Sequence, residues 1–184
     1  MALLESLQIP LGTKMPEFTL KDAHGKQYTS QDLMGENGLL VIFSCNHCPY
    51  AQAVWPRLVK LSKFLRENGI GVVAINPNIH PDYPEDDPKK MPEYAKKWGI
   101  DFPYLVDDTQ SVAKQFKAQC TPDLYLYDKN QKLYYHGRLD DNWQNPDAVK
   151  EESLKIAAEK MLANEPPPEK QYPSMGCSIK WRDS

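Results

Sequence analysis

Two continuous apolar runs, with an amphipathic stretch between them, form the clearest hydrophobic pattern in the chain. Residues 39–43 and 70–75 show no alternation of apolar and polar positions, which is typical of strands buried on both faces. Between them, apolar residues recur at spacings of three and four, which predicts a helix over residues 48–68 with one face in the core. Pro56 should kink that helix because it lacks a backbone N–H. The pattern predicts a right-handed parallel β-α-β unit.

The second half of the chain has patterns typical of antiparallel strands. Residues 123–128 alternate with period two, and residues 132–138 return after a polar turn, which predicts a hairpin. A glycine-containing turn predicts another, N-terminal hairpin within residues 16–30, and apolar spacing predicts a final helix over residues 146–162. A parallel half followed by an antiparallel half predicts an α/β fold, in which helices flank both faces of a central mixed sheet.

Residues 76–90 are polar and rich in proline, and a loop of this length indicates function or mobility.

We predict one domain over residues 1–184, with residues 163–184 as an irregular C-terminal tail. The remaining predicted elements are helices over residues 91–98 and 110–118, and a strand over residues 102–106.

Composition and charge narrow the possible functions. A chain of 184 residues, 41% hydrophobic, is long enough for one well-buried core. The net charge of -3, without a cluster of Lys and Arg, argues against a nucleic-acid partner. No apolar run approaches the roughly 18–20 residues of a transmembrane helix, so no membrane partner is expected. The N-terminal residues lack a basic segment, so we expect no signal peptide and a cytoplasmic, reducing location.

The candidate chemistry lies at the junction of the first apolar run and the following helix. Cys45 and Cys48 are separated there by two residues, and Pro49 follows them. In a reducing compartment such a pair is more often catalytic or metal-binding than structural. A structural zinc site needs four ligands, and the chain offers no second pair with suitable spacing. We therefore predict a redox-active Cys45–Cys48 disulfide, with no metal and no separate cofactor.

The order of these elements, with the dithiol at the first helix and Thr121-Pro122 before the later hairpin, resembles the thioredoxin fold. Residues 15–25 and the additional helix are similar to the AhpC/TSA and TlpA-like (redoxin) branch. Residues 120–123, 137–141 and 176–181 resemble a group of thioredoxin-family proteins within that branch. The resemblance implies that Pro122 is cis and that Thr121 and Pro122 shape a groove for partners. Thioredoxins also carry a buried acid in the strand before the dithiol, which residues 39–43 lack.

His47 lies between the two cysteines, as a histidine does in DsbA oxidants. With the positive end of the helix dipole, its imidazole should stabilise the Cys45 thiolate. We expect Cys45 to be the exposed nucleophile, with a pKa below about 7, and Cys48 to be the resolving thiol deeper in the helix. In this scheme Cys45 attacks a protein disulfide or small thiol substrate, Cys48 releases the product, and an unidentified donor restores the dithiol.

Three alternatives stay open. The first is a peroxiredoxin-like peroxidase, in which Cys48 or Cys45 reacts with peroxide and Arg138 assists, although a cysteine stands where peroxiredoxins carry threonine. The second is a non-enzymatic redox-sensing module. The third is copper binding of the Sco type, with His80 or His136 as the additional ligand.

Two further cysteines are candidate redox thiols. Cys120 lies two residues before Pro122 and should be near the dithiol, either as a small buried side chain or as a redox partner. Cys177 lies in the tail, which could fold back across the site.

Overall fold

A computed structural model describes residues 3–182 and contains ten strands and five α-helices within them. The strands are β1 (Leu3–Glu5), β2 (Thr19–Asp22), β3 (Gln27–Thr29), β4 (Gly38–Phe43), β5 (Ile70–Asn76), β6 (Tyr104–Val106), β7 (Cys120–Thr121), β8 (Asp123–Asp128), β9 (Leu133–Gly137) and β10 (Met175–Ser178). The helices are α1 (Ser30–Leu33), α2 (Pro49–Glu67), α3 (Met91–Trp98), α4 (Ser111–Phe116) and α5 (Ser153–Leu162).

Seven of the strands form a mixed central sheet, as predicted. The order β3–β2–β6–β5 makes one part and β4–β8–β9 the other, and β5 and β6 are parallel whereas the other ladders are antiparallel. The parts meet between β4 and β5, where the N–H of Ser44 donates to the carbonyl of Ile75 at 3.0 Å. Both predicted hairpins are present, as β2–β3 and β8–β9.

Strand β4 is buried on both faces because successive side chains enter different halves of the core. Leu40 and Ile42 belong to the cluster that includes α2 and α5, whereas Val41 and Phe43 belong to the cluster that includes α4. This placement explains the absence of alternation in its sequence. Helix α2 follows as predicted and continues through Pro56 to Glu67. Within residues 3–182, no helix is long and apolar enough to span a membrane.

Three predicted segments differ from the structure. The final helix begins at Ser153, not at residue 146, because backbone groups before it bond elsewhere: Lys150 N–H donates to the Asp141 carboxylate. The proline-rich loop contains two short 3₁₀ turns, Pro84–Asp86 and Pro88–Lys90. The tail is not wholly irregular, because β10 within it pairs with β1 on one side and β7 on the other.

Candidate active site

The dithiol lies in the short loop between β4 and α2. Helix α2 begins at Pro49, so Cys48 is its N-cap and the proline occupies the first helical position, where its missing N–H costs nothing. The indole N–H of Trp55 donates to the carbonyl of Cys45 at 3.1 Å, which fixes the loop against the helix. Cys45 and Cys48 are both 0% exposed. The expectation that Cys45 is exposed was therefore wrong.

Thr121 lies against both cysteines. Its hydroxyl oxygen is 3.5 Å from Cys45 Sγ, and its carbonyl oxygen is 3.4 Å from Cys48 Sγ. The Thr121-Pro122 peptide bond is cis, as the resemblance implied. Residues 121 and 122 are thus close to the dithiol, and their role in shaping a groove for partners stays a prediction.

Strand β10 covers this part of the site. Cys177 is paired in register with Thr121, and Ser178 with Cys120. A Cβ atom on Gly176 would lie 2.0 Å from the Thr121 carbonyl oxygen, so only glycine permits this close approach. The strand brings Cys177 into hydrogen-bonding contact with Cys48 through both its side chain and its backbone. The Cys120 thiol makes a different hydrogen bond, to the Pro122 carbonyl at 4.0 Å. Burial and then the charges of Asp123, Cys48 and Cys177 raise its pKa, so it lies near the dithiol, as predicted.

The two cysteines of the dithiol differ in acidity. The Cys48 pKa is lowered to about 5, chiefly because the Cys45 thiol donates a hydrogen bond to it; this outweighs burial, and hydrogen bonds from Cys177 and Ala51 contribute further. The Cys45 pKa is raised, first by burial and then by its bond to Cys48 and the charge of Asp86. The low pKa expected for Cys45 therefore falls on Cys48. The main reason is the hydrogen bond from Cys45, and the start of α2 adds the Ala51 N–H as a further donor to Cys48.

Asp86 is a buried carboxylate that the sequence analysis did not identify. One of its oxygens accepts hydrogen bonds from the backbone N–H groups of Asn46 at 2.8 Å and His47 at 3.1 Å. The other lies 2.5 Å from Nδ1 of His47, and this bond raises the pKa of the imidazole. Three consecutive acids, Glu85 to Asp87, occur in this loop, and nothing in their spacing shows which one enters the core. Asp86 supplies the buried acid that residues 39–43 lack.

Potential metal ligands cluster at the same place. Cys45, His47 and Asp86 offer ligand atoms within 4.8 Å of one another, the one such group of three within residues 3–182. The histidines named for copper binding are not in it. His136 is buried with its Nε2 2.9 Å from the Asp123 carboxylate, and Nδ1 of His80 accepts the Asp82 N–H. The short contact between Nδ1 of His47 and the carboxylate of Asp86 is a hydrogen bond.

Arg138 contacts groups immediately before α5, at the first residue of α5 and on the tail. Its guanidinium donates to Glu151 at 2.7 Å and to Ser153 at 3.0 Å, and it lies 4.0 Å from the centre of the Tyr172 ring. These contacts account for its charge without a peroxide, so its assistance to either cysteine stays a prediction.

Known proteins resemble this chain in sequence and in fold. A family model described as "AhpC/TSA family" matches residues 11–136, as the sequence resemblance indicated. Thiol-disulfide oxidoreductase ResA from Geobacillus thermodenitrificans is 24% identical over 130 residues, 70% of each chain. The predicted enzyme class is thus confirmed at the level of the family, since curated relatives carry that name.

Two solved structures support the fold. An uncharacterised conserved protein from Geobacillus kaustophilus superposes with a TM-score of 0.95 and 42% identity, covering 100% of this chain and 98% of that one. The thioredoxin domain of a thiol-disulfide oxidoreductase from Bacteroides vulgatus superposes with a TM-score of 0.59 and 17% identity, covering 70% of this chain and 89% of that one. The fold is thioredoxin-like, as predicted.

Proposed function

We propose, from the premise that this chain belongs to the AhpC/TSA family, that it exchanges disulfides with protein or small thiol substrates through a Cys45–Cys48 couple. The observation that supports this best is the Cys48 thiol, held at the N-terminus of α2 with a pKa of about 5 and hydrogen-bonded by its partner Cys45. A thiolate at neutral pH is the species that attacks a disulfide.

We assign the two cysteines the reverse of the roles that the sequence suggested, because the pKa of Cys48 is lowered whereas that of Cys45 is raised. Cys48 thiolate attacks one sulfur of the substrate disulfide, a mixed disulfide forms, and the other substrate sulfur leaves as a thiolate. Cys45 then attacks Cys48 Sγ, so that the second substrate thiolate leaves and the Cys45–Cys48 disulfide remains. Two electrons pass to the substrate, and an external thiol restores the dithiol.

His47 and Asp86 have a role in the second step. Cys45 must lose a proton before it attacks, and its neutral thiol is favoured by burial. The imidazole of His47 and the carboxylate of Asp86 lie within 4.8 Å of its sulfur and can hold that proton or pass it to the departing thiolate. Asp86 acts here as the buried proton acceptor that thioredoxins place on the preceding strand.

Reduction of insulin disulfides in the presence of dithiothreitol tests the proposal. Cys48→Ser and Cys45→Ser should each abolish the acceleration, because each removes one half of the couple. Cys120→Ser is the matched control, since it also removes a buried thiol but one whose neighbour is the Pro122 carbonyl. Its activity should stay near that of the wild type, whereas full activity in Cys48→Ser would overturn the proposal.

Thiol peroxidase activity is the second candidate, and one observation favours it. The low pKa falls on Cys48, which precedes Pro49 and occupies the position of the peroxidatic cysteine in the peroxiredoxin resemblance. Consumption of hydrogen peroxide coupled to dithiothreitol, faster than insulin reduction and lost in Cys48→Ser, would assign this activity instead.

A further inference from the structure

The C-terminal strand is seated on the backbone that precedes the cis proline. Strand β7 has two residues, Cys120 and Thr121, and β10 pairs with both of them. The close approach at Gly176 leaves no room for another chain between the two strands. A strand of this chain thus occupies the position that a substrate strand would need beside Thr121.

Cys177 is the residue of β10 that reaches the dithiol. It is 3% exposed, and it donates to Cys48 from both its side chain and its backbone N–H. Cys48 therefore has two neighbouring thiols, Cys45 on its own loop and Cys177 on β10. The arrangement provides two geometrically adjacent partners for one sulfur.

A buried cation accompanies Cys177. Lys180 is 7% exposed, its ammonium bonds the Ser178 carbonyl, and it lies 5.4 Å from the centre of the Tyr83 ring. The Cys177 pKa is raised to about 12, first by burial and then by the neighbouring Cys48, whereas the charge of Lys180 and a backbone hydrogen bond from Tyr50 act in the opposite direction. Once Cys48 is in a disulfide, its negative charge is gone, and the Cys177 thiolate is opposed by burial and favoured by Lys180 and the Tyr50 backbone.

We propose that Cys177 is a third redox thiol of this site, which converts the Cys45–Cys48 disulfide into a Cys48–Cys177 disulfide. This inference rests on the proposed function, because that function supplies the Cys45–Cys48 disulfide. The Cys177 thiolate attacks Cys48 Sγ, the bond to Cys45 breaks, and Cys45 leaves with the electron pair. The proton lost by Cys177 is taken up by Cys45, so that the number of disulfides is unchanged and no external oxidant is needed.

The rearrangement links strand β10 covalently to Cys48. In the Cys48–Cys177 isomer, β10 is bound across the dithiol, and Cys45 is again a free thiol beside Thr121 and His47. Oxidised protein would then resist an incoming thiol until Cys45 or an external reductant reopens the bond. Cys177 thus acts as an internal substrate for the couple.

Oxidation of Cys45→Ser with oxidised glutathione tests the inference. Peptide mapping by mass spectrometry should find a Cys48–Cys177 disulfide in nearly all molecules. The matched control is Cys45→Ser combined with Cys120→Ser, which should give the same disulfide because Cys120 has a different neighbour. Cys45→Ser combined with Cys177→Ser should carry glutathione on Cys48 instead.

Mapping of oxidised wild-type protein, quenched in acid, provides a second measurement that needs no variant. It should contain both the Cys45–Cys48 and the Cys48–Cys177 disulfides. Wild-type protein with only Cys45–Cys48, together with Cys45→Ser protein whose Cys48 and Cys177 are not joined, would overturn the inference while leaving the proposed function intact. Failure of wild-type protein to form any disulfide on Cys48 would overturn both.

Discussion

The acidity of Cys48 depends on neighbouring thiols that donate hydrogen bonds to it, and Cys45 is the largest contributor. The N-cap position adds the field of α2, but burial acts in the opposite direction. The low pKa is thus a property of the set of thiols and not of a single residue. Each donor can be removed separately, which makes the cause measurable.

Cys45→Ala should raise the pKa of Cys48 from about 5 towards the ordinary value of 9.0, because the main hydrogen-bond donor to the thiolate is removed. The ultraviolet absorbance of the thiolate, followed against pH, measures the midpoint. Cys120→Ala, which leaves the donors in place, should not move it. An unchanged midpoint in Cys45→Ala would mean that Cys45 does not set the acidity of Cys48.

The pair of His47 and Asp86 should make stability depend on pH. The pKa of His47 is raised in the folded protein above its ordinary 6.5, so the pair stabilises the fold fully below that value. The contribution is lost as pH rises through the folded pKa, because the imidazole loses its charge there. His47→Gln should therefore destabilise the protein more at pH near 6 than at pH near 9, by about 1–3 kcal/mol at the lower pH.

Urea unfolding at the two pH values measures this difference. His24→Gln is a suitable control, because His24 lies exposed in the turn between β2 and β3. Equal destabilisation by His47→Gln at both pH values would show that the charge of the imidazole contributes nothing to stability.

At the scale of elements, the position of β10 depends on the absence of a side chain at Gly176. The backbone of Thr121 is the obstacle to a Cβ atom there, and backbone cannot move aside as the end of a flexible side chain can. Strand β10 is also only four residues long, so few hydrogen bonds oppose its release. One methyl group added at residue 176 should therefore weaken the pairing of β10 with β7.

Gly176→Ala should loosen β10 by about 1–3 kcal/mol, the usual cost of overpacking. Because every 1.4 kcal/mol corresponds to a factor of ten, alkylation of Cys48 by iodoacetamide in the folded protein should accelerate by roughly tenfold or more. Met175→Ala, in the same strand but 39% exposed, is the matched control and should change the rate little. Equal rates in the two variants would show that β10 does not limit access.

The elements differ in how far their sequence specifies them. Strand β4 and helix α2 were predictable because each buries enough apolar surface to leave a pattern in its own residues, a continuous apolar run in β4 and apolar spacings of three and four in α2. Strand β10 was missed because its four residues, which include Gly176, have no alternation; it is a strand because β1 and β7 offer free edges. Asp86 was missed for a related reason, since its partners are backbone N–H groups 40 and 39 residues away.

At the scale of the whole molecule, the dithiol is enclosed by segments distant in sequence. Residues of the β4–α2 loop, the proline-rich loop, the cis-proline segment and the tail all contact it. A substrate disulfide cannot reach Cys45 or Cys48 while all of these are in place, since both are 0% exposed. Turnover therefore requires local opening of these segments. Such opening occurs in the less stable parts of a fold.

Alkylation of reduced native protein should accordingly be limited by opening and not by thiolate chemistry. The rate for Cys48 should lie well below that of a small thiol with the same pKa, and should rise in urea concentrations below those that unfold the protein. Mass spectrometry with time gives both rates, and denatured protein provides the unrestricted reference. A native rate equal to the denatured one would mean that the site is open in solution.

The pairing of β10 has a further consequence for the order of events during synthesis. The dithiol and strand β4 leave the ribosome more than a hundred residues before Gly176. We expect the nascent chain to present an uncovered Cys48 thiolate during that interval, with Asp86 already able to bind the loop. Reactivity towards cellular disulfides would then be greatest in the unfinished polypeptide, and arrival of the last strand would end it.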